Sequence, residues 1–360
     1  SKIQYRWVEN GSILSCRVFS IVGLLLFVCL FVSFSLVSFR TPFLVATKAK
    51  ALSNELNGTI TFSLSEEKTY EVKGVFLFLA IGYPINRKHR SIGQLSVLVH
   101  ALQSWDRFIS EPLDRKYPVM ILHDGWGHSE TLTEIIRNTL INSTVLFGYM
   151  NTSIAEMMRS DADRFRPQGI CKRALPGYRK MNRVFVRLMF EDNSPLRQFE
   201  YWMRIDLDIR FHHRIAFDPF IVMKAGNFVF GYHVCSRHGG CQEGFPGFAL
   251  NYKTTHNLTV TTELGEEYVR THTMFYGNIG MGEVKFFTST PVLNYLRAID
   301  NEGGIWRQRW GDQHIYVSVI MFFSDANRTV SISKMLNATH KSALLKGGPC
   351  KFFQRVKMNA

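Results

Sequence analysis

Apolar and polar positions divide the chain into a few regimes. Residues 18–39, VFSIVGLLLFVCLFVSFSLVSF, carry no charge and are flanked by Arg17 and Arg40. These 22 residues, rising about 1.5 Å each as a helix, match a bilayer core of about 30 Å. The run is longer than the roughly 7–15 residues of a secretory h-region and lacks a small-x-small cleavage site after it. It predicts an uncleaved membrane anchor. Residues 40–69 are mostly polar and without periodicity, as expected of a stem. From residue 70 onward the pattern is that of a layered α/β domain. Val75 to Ala80 is a short, continuously apolar strand, and Leu95, Leu98, Val99, Leu102, Trp105 and Ile109 then recur at helical spacing. Val119 to Leu122 predicts a second strand, Glu130 to Leu140 a helix with Thr131 and Glu134 in capping-box register, and Thr144 to Phe147 a third strand. Tyr201 to Ile205 is another buried strand, and Ile315 to Phe323 a helix. Strand and helix in alternation predict a mainly parallel sheet with right-handed crossovers. The domain plan is therefore a tail (1–17), an anchor (18–39), a stem (40–69) and a globular domain (70–360).

Composition sharpens this plan. With 46% hydrophobic and 20% charged residues over 360 positions, the chain can bury a core, which excludes a disordered or collagen-like protein. A net charge of +14 suits an anionic partner: nucleic acid, acidic lipid or a nucleotide diphosphate. Basic residues on both sides of the anchor leave its orientation open. Beyond it the chain carries six Asn-x-Ser/Thr sequons, at Asn57, Asn142, Asn151, Asn257, Asn327 and Asn337. They point to a luminal domain and a type II topology. Cys171, Cys235, Cys241 and Cys350 then form an even luminal set. Within it, His233-Val-Cys-Ser-Arg-His-Gly-Gly-Cys241 predicts a loop disulfide between Cys235 and Cys241, with a zinc clamp of His233, Cys235, His238 and Cys241 as the alternative.

No glycine-rich phosphate-binding fingerprint follows any predicted strand. The charged chemistry lies instead where the strand Tyr201–Ile205 runs into Asp206-Leu-Asp208. Carboxylates two residues apart on an extended chain point the same way and can share a hard divalent cation that neutralises a diphosphate. Alone, D-x-D is a weak signal. After an α/β layer, in a luminal protein, it points to nucleotide-sugar transfer. His212 and His213 sit nearby but on opposite faces of an extended chain, so neither is expected to be a ligand, and a capping or solvent-facing role is expected for His314. Ser289-Thr-Pro291 reads as the capped start of a core helix.

Five ordered segments carry a family resemblance: Tyr178-Arg-Lys-Met-Asn-Arg183, Tyr201-Trp-Met-Arg-Ile-Asp-Leu-Asp208, Phe217-Asp-Pro-Phe220, Phe286-Phe287 and Gly303-Gly-Ile-Trp-Arg-Gln-Arg-Trp-Gly-Asp312. In this order they resemble glycosyltransferase family 15, the fungal Golgi α-1,2-mannosyltransferases. The resemblance implies a GT-A-like nucleotide-sugar-binding fold, a mainly parallel or mixed sheet flanked by helices and preceded by one transmembrane helix. It implies GDP-mannose as donor, Mn²⁺ (or Mg²⁺) as metal, retention of configuration, and an acceptor hydroxyl on a glycoprotein or glycolipid. Nucleic acid is not an expected partner, for no binding motif is present. The family's Glu-Pro-Asp falls on Asp206-Leu-Asp208, making Asp208 the metal ligand and Asp206 its neighbour at the nucleotide. Its Arg-Trp-Gly-Asp falls on Arg309 to Asp312, making Asp312 a candidate for orienting the sugar. Its late metal-binding histidine falls on His340, and Tyr178 and Arg183 are expected to line the donor pocket.

One departure affects the chemistry. The family's Asn-Phe-Glu-Ile-Gly-Asp aligns with Asn278-Ile-Gly-Met-Gly-Glu283, so Gly280 replaces the glutamate regarded as nucleophile. Glu283 is the one acid nearby in sequence that is a candidate substitute. Without it, retention needs a front-face route. The remaining alternatives are altered donor or acceptor use and a silent luminal glycan-binding pseudoenzyme.

Overall fold

The computed structural model describes residues 71–81, 90–125, 130–140, 143–174, 176–237, 240–259, 269–333, 335–336, 338–340 and 343–344. Contacts divide the chain into Ser1–Ser65 and Glu66–Ala360, and every described residue lies in the second unit. The tail, the anchor, the stem, Asn57, Asn142, Asn337 and Cys350 fall outside the described residues. No helix among the described residues is long and apolar enough to cross a membrane. Asn151, Asn257 and Asn327 are all exposed.

The first strand, β1 (Gly74–Ala80), is buried along its whole length, as befits a strand covered on both faces. It is followed by α1 (Arg90–Trp105), whose register continues through one π-helical turn, Asp106–Ser110. Next come β2 (Val119–His123), α2 (Glu130–Arg137) and β3 (Val145–Tyr149). β1 pairs in parallel with β2, and β2 with β3. The predicted helix ends earlier than expected and contains Thr131 in its first turn, so Thr131 is not the cap. A later helix, α3 (Pro176–Val186), leads to β4 (Tyr201–Ile205), which closes against the other side of β1 in parallel.

Beyond β4 the sheet becomes mixed. A short β5 (Ile209–Phe211) leaves it, β6 (Phe230–Tyr232) rejoins it, and β7 (Cys235–Arg237) pairs separately with β8 (Thr273–Phe275). The antiparallel β9 (Ile279–Glu283) lies between β4 and β6. Two helices, α4 (Thr290–Glu302) and α5 (Asp312–Phe323), and the edge strand β10 (Thr329–Ser331) follow. The seven-stranded order is β10-β6-β9-β4-β1-β2-β3. Alternate residues of β1 feed two cores. Phe76 and Phe78 meet Trp105 on the α1 face, while Val75, Leu77 and Leu79 join the α3, α4 and α5 side chains on the other. On that second face Trp202, Phe230, Phe287 and Tyr316 pack ring against ring, each pair adding about 0.5–1.5 kcal/mol beyond its buried area. A Cβ on Gly282 would come within 2.7 Å of Phe287 and 2.8 Å of Trp202. Glycine there lets β9 lie against the aromatic layer.

The predicted Cys235–Cys241 pairing and the zinc clamp both give way to a Cys171–Cys241 disulfide. Cys235 is itself disulfide-bonded, so neither thiol is available to a metal. His233 is buried, and desolvation holds its pKa below the ordinary value, more than offsetting a backbone hydrogen bond. The bridge spans 70 residues, and closing such a loop in the unfolded chain is worth about 4 kcal/mol.

Candidate functional site

β1, β2 and β4 all end on the same edge of the sheet, the edge where ligands bind in doubly wound α/β proteins. There β4 leads directly into a turn, in which the Ile209 amide donates to the Asp206 carbonyl at 3.1 Å. Asp206 and Asp208 thus sit on a tight turn and not on extended chain, so strand alternation is not what brings them together. The turn itself does. Asp206 feels Asp208 as a like charge, which raises the cost of ionising Asp206.

Arg204 organises the cluster. It lies on β4, is 2% exposed, and packs its guanidinium 3.5 Å from the Phe185 ring centroid. Its Nε donates to Asp206 Oδ1 at 3.0 Å, and its Nη1 donates to Asp312 Oδ2. Burial alone would lower its pKa, yet Asp206 and Asp312 hold it above the ordinary value. Two carboxylates, Asp206 and Asp312, pair with this guanidinium, while Asp208, on the same turn as Asp206, acts on Asp206 as a like charge and on Arg210 as an opposite one. Desolvation pushes the Asp206 carboxyl up to about 6, helped by Asp312 and Asp208 and opposed by Arg204. About a quarter of the Asp206 side chain, 24%, remains open to solvent. Tyr276 lies beside the same acids, and its phenol is raised by desolvation, then by Asp206, Asp208 and Tyr178.

Asp312 owes its position to the segment before it. Gly303 adopts φ +80°, and a Cβ on Gly304 would fall 2.2 Å from the Trp310 ring. Those two glycines let Trp310 lie flat beneath the loop, where its Nε1 donates to the Glu243 carbonyl at 2.8 Å and its own carbonyl accepts from Asn182 Nδ2 at 3.2 Å. Arg309 is left at φ +66°, a conformation that costs a side-chain-bearing residue on the order of 1 kcal/mol or more. Its guanidinium carbon lies 4.0 Å from the Tyr178 ring centroid, and Nη1 contacts Cys241 Sγ at 3.1 Å. Tyr178 is thereby held under Arg309, and Tyr276 feels both Tyr178 and the acids.

Other expected residues lie elsewhere. Arg183 is buried, with Nε on both Asp300 oxygens at 3.0 Å and Nη1 on the Ser153 carbonyl at 2.9 Å. Arg187 binds the same Asp300 at 2.7 Å. Arg183 is therefore a structural clamp between α3, α4 and the chain after β3, and does not line the donor pocket. Glu283 pairs with Tyr201, at the opposite end of β4 from Asp206. Five residues of strand put it roughly 16 Å away along the sheet, beside Arg328 at 3.7 Å. It cannot stand in for the missing glutamate. Gly280 pairs with Arg204, and a Cβ built on it would meet nothing nearer than 3.8 Å. The position is roomy and carries no functional group.

A second small sheet brings in His340. β11 (Ala338–His340) runs antiparallel to β5, with β12 (Ala343–Leu344) beyond it, and His340 is the register partner of Ile209. Its backbone thus lies one residue from Asp208. Among the described residues no three acid, histidine or cysteine side chains converge as a cage. The oxygen-rich turn with its two carboxylates and the adjacency of the His340 backbone do fit a hard divalent ion. His212 and His213 are exposed. His314 is buried in the first turn of α5, against the expected solvent-facing or capping place, and Ser289 precedes α4 without a side-chain cap bond. Sequence reasoning missed Arg204 and Tyr276. The signal for Arg204 was an arginine amid four apolar strand residues.

The pattern of the family described as Glycolipid 2-alpha-mannosyltransferase matches residues 129–342, more than half of the chain. O-glycoside alpha-1,2-mannosyltransferase homolog 5 of Schizosaccharomyces pombe is 22% identical over 247 residues, 56% of this chain and 57% of that protein. Homolog 2 of the same organism is 23% identical over 232 residues, 59% and 60% respectively. The chain spans little more than half the length of these relatives. Among solved structures, the mannosyltransferase Ktr4p from S. cerevisiae matches with a TM-score of 0.60 at 15% identity, over 78% of this chain and 74% of that one. Core-mannan synthase A from Aspergillus fumigatus, in its Mn/GDP form, matches with a TM-score of 0.59 at 15% identity, over 79% and 80%. At these identities the likeness is one of fold, and the mixed α/β sheet with its acid-bearing turn is GT-A-like. The five ordered motifs, the sheet that positions them and the match over residues 129–342 place the chain in glycosyltransferase family 15.

Proposed function

We propose that the protein is a metal-dependent retaining mannosyltransferase that moves mannose from GDP-mannose to a glycan hydroxyl, anchored in the Golgi membrane as a type II protein with its α/β domain in the lumen. The observation that carries this is the turn at the carboxyl end of β4, where Asp206 and Asp312 share one buried guanidinium and Asp208 stands beside Asp206. The relatives' names specify α-1,2-mannosyl transfer, and the Mn/GDP form of core-mannan synthase A supports the metal and the nucleotide. The apolar run at 18–39 and the sequons support the topology. Asp208, with Asp206 beside it and His340 on the neighbouring strand, would hold the ion. Bound there, Mn²⁺ supplies positive charge against the departing diphosphate. Arg204 holds Asp206 and Asp312 in place through its hydrogen bonds, and Tyr178 with Arg309 forms a further wall.

Gly280 decides the route. With no carboxylate at position 280, and Glu283 at the far end of the strand, neither position supplies a nucleophile to form a mannosyl-enzyme. The acceptor oxygen therefore bonds to the anomeric carbon on the face from which the diphosphate departs. The anomeric C–O bond breaks with its electron pair going to the phosphate oxygen, and that oxygen takes the acceptor's proton. Incubating the protein with GDP-mannose, Mn²⁺ and α-methyl mannoside is expected to give an α-linked product by NMR, and the intact-protein mass is expected to stay unchanged during turnover. A covalent mannosyl adduct would overturn the front-face route. Gly280 also favours a second reading, a glycan-binding protein without turnover, and absence of transfer from any sugar nucleotide would establish it.

The raised pKa of Asp206 sets a pH dependence. In the metal-free protein this carboxyl is protonated below about 6, and a cation must displace that proton. Mn²⁺ affinity is therefore full above pH 6 and falls as the pH drops through it. Calorimetric titration between pH 5 and 7.5 tests this, and a pH-independent affinity would remove Asp206 from the site.

A further inference from the structure

Asn151 stands two residues past β3, the strand at one edge of the sheet. The backbone stays extended there, because the Met150 amide donates to the His123 carbonyl at 2.7 Å. Burial alternates in step: Tyr149 and Asn151 are exposed, while Met150 and Thr152 are buried. Residues two apart on an extended chain share a face at a distance of about 7 Å, which sets the Asn151 side chain beside the Tyr149 ring. The ring approaches that of His123, with 6.1 Å between centroids, yet 54% of the residue is open to water. The Ser153 amide donates to Asn151 Oδ1 at 3.1 Å, so the asparagine is held by its oxygen, and its nitrogen is not needed for that bond. Of the six sequons beyond residue 39, Asn151-Thr-Ser153 alone has an aromatic residue two positions upstream. Thr255 and Asp325 hold that place before Asn257 and Asn327.

We propose that Asn151 carries an N-linked glycan whose first N-acetylglucosamine packs on the Tyr149 ring. The inference rests on the luminal placement above and adds the site and its contact. Asn151 Nδ2 bonds to the anomeric carbon of an oligosaccharide delivered as a lipid-linked diphosphate. The bond from that carbon to the diphosphate oxygen breaks with its electron pair going to the lipid diphosphate, and Nδ2 releases one proton. One face of the pyranose ring presents C–H bonds, whose slight positive charge suits the negative face of an aromatic ring. Contact also removes apolar surface of both from water. The bond from Ser153 to Oδ1 survives the modification, so the sugar starts from an asparagine already oriented. Asn257 and Asn327 have no ring at the equivalent place, and a glycan on either lacks that seat.

The test uses the full chain made in a eukaryotic secretory host and purified in detergent. Peptide N-glycosidase in heavy-oxygen water turns each glycan-bearing asparagine into a labelled aspartate, which peptide mass mapping locates. Label at Asn151 is expected. Label at Asn257 or Asn327 with Asn151 unmodified would overturn the inference and leave the luminal placement intact, whereas no label at any sequon would overturn both. The contact is read from thermal midpoints of the untreated protein and of N151D, Y149A and the double variant. Aspartate keeps the oxygen that accepts from Ser153 and cannot carry the glycan. N151D is expected to lower the midpoint by about 2–4 °C when Tyr149 is present, and by less than half as much in the Y149A background. A midpoint that N151D lowers equally with and without Tyr149, or leaves unchanged, would overturn the stacking.

Discussion

Replacing Arg204 with methionine is expected to lower the stability of the α/β domain by about 3–5 kcal/mol, the usual cost of leaving buried charges without their partner. Methionine retains an unbranched apolar stem against Phe185, so the loss reports on charge and not on a cavity. Asp312 is 1% exposed, and without the guanidinium it faces Asp206 across a dry gap. In a domain of this size a change of that order moves the thermal midpoint by on the order of 10 °C. The double variant R204M/D312N is expected to recover part of the loss, because it removes one of the stranded carboxylates. A midpoint for R204M within 2 °C of the wild type would show that Asp206 and Asp312 do not depend on Arg204.

Much of the frame is legible in the chain, because apolar runs dictate it. β1 and β2 are almost wholly apolar segments and β4 is apolar but for Arg204, and their parallel pairing follows from the helices between them. Other elements are hidden for physical reasons. β9 reads Ile-Gly-Met-Gly-Glu, poor strand material by composition, and it pairs where it does because glycines fit beneath Trp202 and Phe287. Its antiparallel register sends Glu283 away from the acids, an outcome that one-dimensional spacing cannot reveal. Arg183 has the same character as a donor-pocket arginine until Asp300, more than a hundred positions away, is seen to bind it. Disulfide pairing is likewise a matter of folded proximity: Cys241 meets Cys171, 70 residues back, and not Cys235.

The acids themselves were visible, but not what orders them. Asp206 and Asp208 stand out by spacing, and Asp312 by its motif. Arg204, which joins Asp206 to Asp312, is an unremarked letter within a strand. The small sheet β5-β11-β12 contributes a residue distant in sequence, His340, to the neighbourhood of Asp208, and only backbone pairing discloses it. The glycine pair at 303 and 304 looks like a loop signal. Its main effect is to admit Trp310 and so to set Asp312 at the start of α5.

Asp208→Ala is expected to reduce kcat/KM for mannosyl transfer by at least roughly a thousandfold, matched by chelation of metal from the unaltered protein. A metal ion neutralising a leaving diphosphate is worth several kcal/mol, and each 1.36 kcal/mol is a factor of ten. The residue is half-buried on a turn and makes its contribution to function by charge, so the metal-free variant is expected to unfold within a few degrees of the wild type. Thermal stabilisation by Mn²⁺, which follows from binding to the folded state alone, is expected to disappear in the variant. Asp208→Asn separates charge from shape: an amide oxygen still coordinates, but the site loses one negative charge, and Mn²⁺ should bind more weakly without being abolished. Chelated wild-type protein should regain activity on adding Mn²⁺, and D208A should not at the same concentration. If D208A kept both its transfer rate and its Mn²⁺-linked stabilisation, the cation would have to sit elsewhere, and the turn after β4 would be a structural feature with no part in the reaction.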